Sequence, residues 1–470
     1  MTETSDTARF KPAPLGRITS GSVQLDAILG GGFPSNSINM LMGEPGSGKT
    51  ILAETLIFAN ASADGRPILY LTTLSEPLEK VVRYLQQFSF YDDEKLMSGA
   101  IRYESLGEEL AKNGISALVP KLREIIKTMS PKIIVIDSFK AIHDLSTSLP
   151  EMRQMLYEVS GLLTAYEVTA FFLGEYSEDQ IPSYPEFAVA DAMVELARKK
   201  QGTRDERYLR VLKLRGSNYQ EGLHAFRITE DGLHVFPRLT SPDIPMRYTA
   251  NNERLSTGVE GLDRIMQGGV WAAGATLLEG PTGAGKTTLA LQFILEGLKR
   301  GESGLYVNFQ ENPTQLARSI ESLGWNFDEA RKKGLHLLYA SPVELQIDSI
   351  LVELFRTIKE HDIRRVVVDS IGDLIVAASD LNRLYSYLYA LVQHFIARRV
   401  VCMMTLETTS AGVVPMEGQI SALTDAILRL GVELDGGKAR RTLQIVKARG
   451  TNHDLDVQEL RITSRGVEVG

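Results

Sequence analysis

Cysteine is nearly absent from this chain, with one thiol, Cys402, in 470 residues. No internal disulfide can form, and no cysteine-based metal site can be built. Cys402 sits in the apolar run Val400-Val401-Cys402-Met403-Met404, which marks it as a core residue. Long apolar runs are missing too, since nothing approaches the ~18 consecutive apolar residues that a membrane helix needs. Met1 to Pro14 is polar and lacks the apolar stretch of a secretory signal, so the cytoplasm is the expected compartment. There is no basic excess either. The net charge of −8 argues against broad adhesion to nucleic acid. The short basic clusters Arg198-Lys199-Lys200, Arg331-Lys332-Lys333 and Lys438 to Arg441 have no interleaved aromatics and read as solvated faces. His143, His224, His234, His336, His361, His394 and His453 show no metal-ligand spacing. Trp271 and Trp325 sit where apolar packing is expected, and Tyr385 to Tyr389 reads as packing on a helix.

What is present is an ordinary globular composition, 43% apolar and 23% charged, long enough for two or three domains with full cores. Two glycine-rich stretches stand out: Gly43-Glu44-Pro45-Gly46-Ser47-Gly48-Lys49-Thr50 and Gly280-Pro281-Thr282-Gly283-Ala284-Gly285-Lys286-Thr287. Both fit G-x-x-x-x-G-K-[ST], the phosphate-binding loop of nucleoside triphosphatases. Each follows an apolar run that reads as a strand (Ile38 to Met42; Ala275 to Leu278). Each also opens a helical pattern (Ile51 to Ala59; Leu289 to Leu298). Glycines let backbone N–H groups turn inward around an anion, and the helix N-terminus adds positive potential. Lys49 and Lys286 are placed to reach terminal phosphates. Thr50 and Thr287, the latter followed by Thr288, are placed to hold Mg²⁺. The expectation is ATP at two sites.

The chain repeats itself. Arg17 to Gly32 resembles Arg254 to Gly269, and the offset of 237 between those arginines equals that between Lys49 and Lys286. Ile133 to Ser138 answers to Val366 to Ser370, and Lys213-Leu214-Arg215-Gly216 answers to Lys447-Ala448-Arg449-Gly450. The organisation expected is a tail over 1–16, a first domain over 17–240, a linker over 241–253 and a second domain over 254–470. Apolar runs alternate with helical patterns in each unit (Ile68 to Thr72, Ile133 to Asp137 and Thr169 to Gly174; Gly304 to Phe309, Val366 to Asp369 and Val400 to Thr405). That pattern predicts an α/β fold in which a mostly parallel sheet is covered by helices on both faces. Asp137 and Asp369 end apolar strands, where a carboxylate beside the loop threonine holds Mg²⁺ in a phosphate-loop enzyme.

Together these features resemble the KaiC-like family, the double-domain RecA-fold ATPases related to the cyanobacterial clock. The resemblance rests on the [ST]-G-x-x-x-L-D-x-[IM]-x-x-G-G lead-in, the I-D-S strand end and the K-x-R-G segment, and it covers residues 17–465. It implies tandem RecA-like domains, a homo-hexameric ring with ATP at subunit interfaces, and a regulatory protein partner of the KaiB kind. It also implies that Lys213, Arg215, Lys447 and Arg449 reach phosphates bound by a neighbouring subunit, an arginine-finger arrangement.

Departures from the family pattern bear on catalysis. In the clock proteins a Phe-Glu-Glu triplet follows the second strand, and its first Glu activates the attacking group. Here the second unit reads Phe309-Gln310-Glu311, so Gln310 holds that position and Glu311 becomes the candidate base, with a structural carboxylate as the other reading. The first unit reads Thr73-Leu74-Ser75-Glu76-Pro77, so Leu74 and Ser75 stand where the carboxylates belong and Glu76 comes one position late. Glutamine can orient a water but cannot take its proton, and base assistance typically contributes ~10²–10⁴-fold. Binding is therefore expected to survive while hydrolysis slows, more so in the first unit. Of the adjacent Ser and Thr that the clock proteins phosphorylate, Ser421 is kept and Ala422 replaces the threonine. A two-site cycle is excluded at that pair, while one modification at Ser421 stays open beside a plain structural serine. The chain stops at Gly470, about 20 residues after the K-x-R-G segment, without the longer regulatory tail, so a full oscillator is not expected. The expected function is a slow ATPase that signals through its ring and partners, with autokinase activity at Ser421 as a secondary reading. The rivals are a nucleotide-held scaffold with little hydrolysis and a DNA-dependent recombinase-like ATPase.

Overall fold

The strand Ile38–Met42 (β1) is buried along its whole length, as a central parallel strand covered on both faces must be. The computed structural model of the chain describes residues 15–63, 65–73, 78–201, 204–242, 253–378, 381–408, 417–464 and 466–470. It divides into two compact units, Met1–Arg238 and Leu239–Gly470. Most of the expected tail and linker therefore lie outside the described residues, as do Leu74, Ser75, Glu76 and Pro77.

In the first unit β1 is followed by β2 (Ile68–Thr72), β3 (Ile101–Ser105), β4 (Ile133–Asp137), β5 (Thr169–Gly174), β6 (Ala192–Gln201), β7 (Arg204–Leu214), β8 (His224–Thr229) and β9 (Gly232–Phe236). The sheet order is β9-β8-β7-β6-β1-β5-β4-β2-β3. Strands β3 through β6 in that order pair in parallel, and β6 to β9 are antiparallel. The main helices are α1 (Lys49–Asn60), α2 (Leu118–Met129), α3 (Phe139–Asp144) and α4 (Leu149–Ala165). Strand residues alternate between faces, and both faces pack. Leu41, Tyr70, Val135 and Phe171 join the α1 side, while Met40, Leu69, Ile134 and Phe172 join α2 and α4.

The second unit repeats the plan. Its strands are β10 (Ala275–Gly280), β11 (Ser303–Asn308), β12 (Leu335–Tyr339), β13 (Ile363–Asp369), β14 (Val401–Glu407), β15 (Ala426–Asp435), β16 (Lys438–Ala448), β17 (Gln458–Thr463) and β18 (Gly466–Val469). Its sheet order, β18-β17-β16-β15-β10-β14-β13-β11-β12, matches the first strand for strand. The helices are α5 (Lys286–Lys299), α6 (Pro313–Ser322), α7 (Ile347–Glu360), α8 (Ile371–Ala377), α9 (Leu381–Ala397) and α10 (Glu417–Leu423). The expected fold class, two mostly parallel sheets with helices on both faces, is the one observed. Cys402 is buried on β14, where burial pushes its thiol well above the usual range.

The lead-in motif has a structural reason in both units. Asp26 accepts hydrogen bonds from Thr19 Oγ1, Ser20 N and Ser20 Oγ at 2.5–2.7 Å. Asp263 accepts the same set from Ser256 Oγ, Thr257 N and Thr257 Oγ1 at 2.5–2.8 Å. Arg17 and Arg254 then bond the carbonyls of Gly32 and Gly269 at 3.0 and 2.9 Å. They also reach Ser217 and Thr451, just past the K-x-R-G segments. Because hydrogen bonds to a charged acceptor contribute most, Asp263→Ala is expected to destabilise the second unit by about 2–4 kcal/mol. Both tryptophans lie in that unit, so urea unfolding followed by tryptophan fluorescence reads the loss, and a change under ~0.5 kcal/mol would deny the motif its holding role.

Candidate functional site

Each phosphate-loop motif closes the gap between its central strand and the helix that follows. Gly43 and Gly280 have φ of +146° and +155°, and a Cβ there would meet the carbonyl oxygens of Leu196 and Leu430 at 2.0 and 2.3 Å. Gly46 and Gly283 also have positive φ, yet an added Cβ would meet nothing within 4 Å. The loop apex therefore presents backbone alone to an open concavity, the shape of an anion cradle. Helices α1 and α5 begin at Lys49 and Lys286 and aim their N-termini into it.

The two lysines are held in the same way. Lys49 Nζ donates to the carbonyls of Gly43 and Glu44 at 2.8 and 2.9 Å. Lys286 Nζ donates to those of Gly280 and Pro281 at 2.7 and 3.0 Å. Burial pulls both ammonium groups below their usual range, opposed by Glu175 and Asp137 in the first unit and by Glu407 and Asp369 in the second.

The loop threonine and the strand-end aspartate, far apart in sequence, meet in both units. Thr50 Oγ1 donates to Asp137 Oδ2 at 3.1 Å, and Thr287 Oγ1 donates to Asp369 Oδ2 at 2.9 Å. A tyrosine from the neighbouring strand donates to the same oxygen, Tyr70 Oη and Tyr306 Oη each at 2.6 Å. Burial, then the aspartate charge, pushes both phenols well above their usual range. Thr405 Oγ1 also bonds Asp369 Oδ1. Among the described residues no cluster of His, Cys, Asp and Glu could hold a metal by itself. A hydroxyl and one carboxylate suit a hard cation that takes its other ligands from phosphate and water.

Around these residues lie clefts of about 660 Å³ in the first unit and 440 Å³ in the second. The second cleft holds Lys286, Thr287, Thr288, Gln310, Glu311 and Asp369. Asn308 Oδ1 accepts from the backbone N–H of Gln310 and Glu311 at 2.9 and 3.0 Å, and Asn312 with Pro313 caps α6. That turn fixes the backbone of both residues. Gln310 donates to Asp373 at 2.9 Å, whereas Glu311 Oε2 is buried without a hydrogen-bond partner. Burial, then Asp369, raises the Glu311 carboxyl above its usual range.

Neither K-x-R pair lines the cleft of its own unit. Arg215 pairs with Asp191 at 3.2 Å. Lys447 Nζ donates to the carbonyls of Ser421 and Thr424 at 2.5 and 2.6 Å, and Arg449 donates to that of Ala422 at 2.9 Å. Burial, then the neighbouring arginine, lowers both lysines. Ser421 sits on α10, also outside that cleft. Trp271 is not simply packed: its Nε1 donates to the Arg449 carbonyl at 2.9 Å and its ring lies 3.7 Å under the Arg254 guanidinium.

Sequence reasoning missed the roles of four charged residues: Glu175, Glu407, Arg441 and Glu54. Glu175 and Glu407 enter the clefts from the ends of β5 and β14, and Thr282 bonds Glu407. Superposing the two repeats would have found them, because each closes the equivalent strand. The basic cluster Lys438 to Arg441 is exposed, as its reading as a solvated face has it, and from it Arg441 Nε donates to the Gly283 carbonyl at 2.8 Å on the hairpin strand β16. Glu54 on α1 is fully buried, with one oxygen accepting from Tyr103 at 2.8 Å and the other without a partner.

The profile of the family described as ATPase: KaiC matches residues 18–240 and 255–470. The circadian clock oscillator protein KaiC of Picosynechococcus sp. is 29% identical over 459 residues, covering 95% of this chain and 88% of that protein. KaiC 1 of Synechocystis sp. is 28% identical, covering 94% and 87%. KaiC of Rippkaea orientalis is also 28% identical, covering 94% and 86%.

Burial raises the Glu54 carboxyl to about 8, so the folded state holds a proton that the unfolded chain releases near 4.5. The first unit should then lose stability as pH rises from about 4.5 to 8, by up to about 1.4 kcal/mol per pH unit. Urea unfolding by circular dichroism at pH 5.5, 6.5 and 7.5 should show a flatter pH slope for Glu54→Gln. Equal slopes would mean that Glu54 is ionised in the fold.

Proposed function

Because the chain belongs to the KaiC ATPase family, we propose that it binds ATP with Mg²⁺ at both phosphate loops, hydrolyses it slowly, and does so chiefly in the second unit. The observation that carries this reading is the buried, unpartnered Glu311 Oε2 beside Asp369, where the first-unit sequence has Leu74 and Ser75 in place of the carboxylates. Glu54 is no substitute, being absent from the cleft lining.

The residues fit the nucleotide. The open faces of Gly46 and Gly283, the buried unpartnered Ser47 Oγ and the cationic Lys49 and Lys286 suit phosphate oxygens. Thr50 with Asp137 and Thr287 with Asp369 suit Mg²⁺, which when bound neutralises phosphate charge. Glu311 is placed to take the proton of the attacking water, and Gln310, tied to Asp373, to orient that water. Glu311 must be ionised to act, so turnover falls as pH drops through its raised pKa.

Lys213, Arg215, Lys447 and Arg449 are absent from their own clefts, which supports their action on a neighbouring copy and a homo-hexameric ring. The nucleotide state of such a ring would control binding of a regulatory protein partner of the KaiB kind, in the cytoplasm. Ser421 as an autokinase target is the secondary reading, and its site is the helix end that holds Lys447. Among the described residues no helix is long and apolar enough to cross a membrane.

Phosphate release from Mg-ATP by the full chain tests this. Glu311→Gln should slow it ~10²–10⁴-fold with ATP still bound, and Gln310→Glu, which restores a carboxylate, should raise it. Unchanged release in Glu311→Gln would remove Glu311 as the base. Binding without release in the parent would favour the nucleotide-held scaffold.

A further inference from the structure

The wall of the first cleft that faces the loop is built differently from its counterpart. Helix α3 starts two residues after Asp137 and brings Lys140 and Asp144 into the cleft with Lys49, Thr50 and Glu175. Lys140 Nζ bonds Asp144 Oδ1. It also stands 5.2 Å from the ring centre of Tyr184 and 6.0 Å from that of Tyr176.

Those rings are themselves fixed. Tyr176 Oη donates to Glu186 Oε1 at 2.8 Å, and His143 Nδ1 lies 2.9 Å from the same oxygen. The His143 ring stacks on Tyr184 at 4.1 Å. Glu186 is fully buried. Counted from the strand-end aspartates, Lys140, His143 and Asp144 correspond to Gly372, Ile375 and Val376. Counted from the β1·β6 and β10·β15 pairings, Glu186 corresponds to Ile420. In the second unit Gly372 has no side chain, Val376 is exposed and Ile375 and Ile420 pack into the core, so the polar support belongs to the first unit alone.

We propose that Lys140 is a second phosphate ligand supplied in cis, which makes the first unit prefer a nucleoside triphosphate over a diphosphate; this rests on the reading of that cleft as a nucleotide site. Terminal phosphates bind toward the carboxyl ends of the parallel strands, which is where Asp137, Ser138 and Lys140 lie. Among the described residues the ammonium contacts the two rings and Asp144. The Asp144 side chain is 59% exposed, so it can turn to solvent while Lys140 turns to a phosphate oxygen. The acidic groups facing the cleft, Asp137, Asp144 and Glu175, balance Lys49 and Lys140 until phosphate arrives. A cation at this position strengthens binding of the terminal phosphate but supplies no base, and slow cleavage in this cleft rests on Leu74 and Ser75 standing where the carboxylates belong.

The test is calorimetric titration of the full chain carrying Lys286→Ala, which disables the second loop, with Mg-AMPPNP and with Mg-ADP. Lys140→Met should weaken AMPPNP binding about tenfold or more and change ADP less than twofold. Lys140→Arg should keep most of the preference, and Asp144→Asn should not weaken AMPPNP. Equal losses for both nucleotides, or an Asp144→Asn variant that copies Lys140→Met, would reduce Lys140 to a structural ion pair and overturn the proposal. If the Lys286→Ala chain binds neither nucleotide, the reading of the first cleft as a nucleotide site falls, and the proposal with it.

Discussion

One carboxylate oxygen in each unit accepts two hydroxyl hydrogen bonds, from the loop threonine and from a tyrosine on the adjoining strand. Asp137 Oδ2 takes them from Thr50 and Tyr70, Asp369 Oδ2 from Thr287 and Tyr306. This contact joins three separate pieces of chain: the start of the loop helix, the strand beside the turn that carries Glu311, and the strand that ends in aspartate. Both sheets serve it. Placing β5 between β1 and β4, and β14 between β10 and β13, sets the aspartate across a gap from the loop rather than against it. The tyrosine fills that gap from behind with a buried phenol whose only favourable state is neutral and donating.

Around that shared contact the two units diverge in chemistry. The second surrounds its cleft with Glu311, Glu407 and Gln310, and draws Arg441 onto the loop from the hairpin. The first supplies Lys140 with an aromatic and ionic support, and hides Glu54 beneath the loop helix where the second unit has Leu291. On the proposed reading, the first cleft is biased to hold a triphosphate and the second to split it. Duplication of one fold leaves such divergence open, because the strands fix where ligands gather while the residues just past the strand ends decide what happens there.

The loops, the repeat, the strand-end aspartates and the parallel sheet were legible in the sequence because each rests on local pattern: glycine spacing, apolar runs and a constant offset. Groups that depend on sheet order were harder to see. Glu175 and Glu407 matter because β5 and β14 lie beside the loop strands, which composition does not reveal. Arg441 is one of several charges on an exposed hairpin strand until the antiparallel register brings it to Gly283. Lys140 gains its setting from Tyr176, Tyr184 and Glu186, which come from 36 to 46 residues further along. Conversely, the lead-in aspartates read as family markers in the sequence, and the structure gives them a physical task in closing a turn.

The two clefts differ most in the nucleotide each is expected to keep. The most direct measurement is the identity of the nucleotide retained after incubation with Mg-ATP and rapid desalting, compared between Lys286→Ala and Lys49→Ala chains. With only the first cleft working, the retained nucleotide should be ATP; with only the second, it should be largely ADP. ADP in the first cleft, or intact ATP in the second, would contradict the division of labour proposed here.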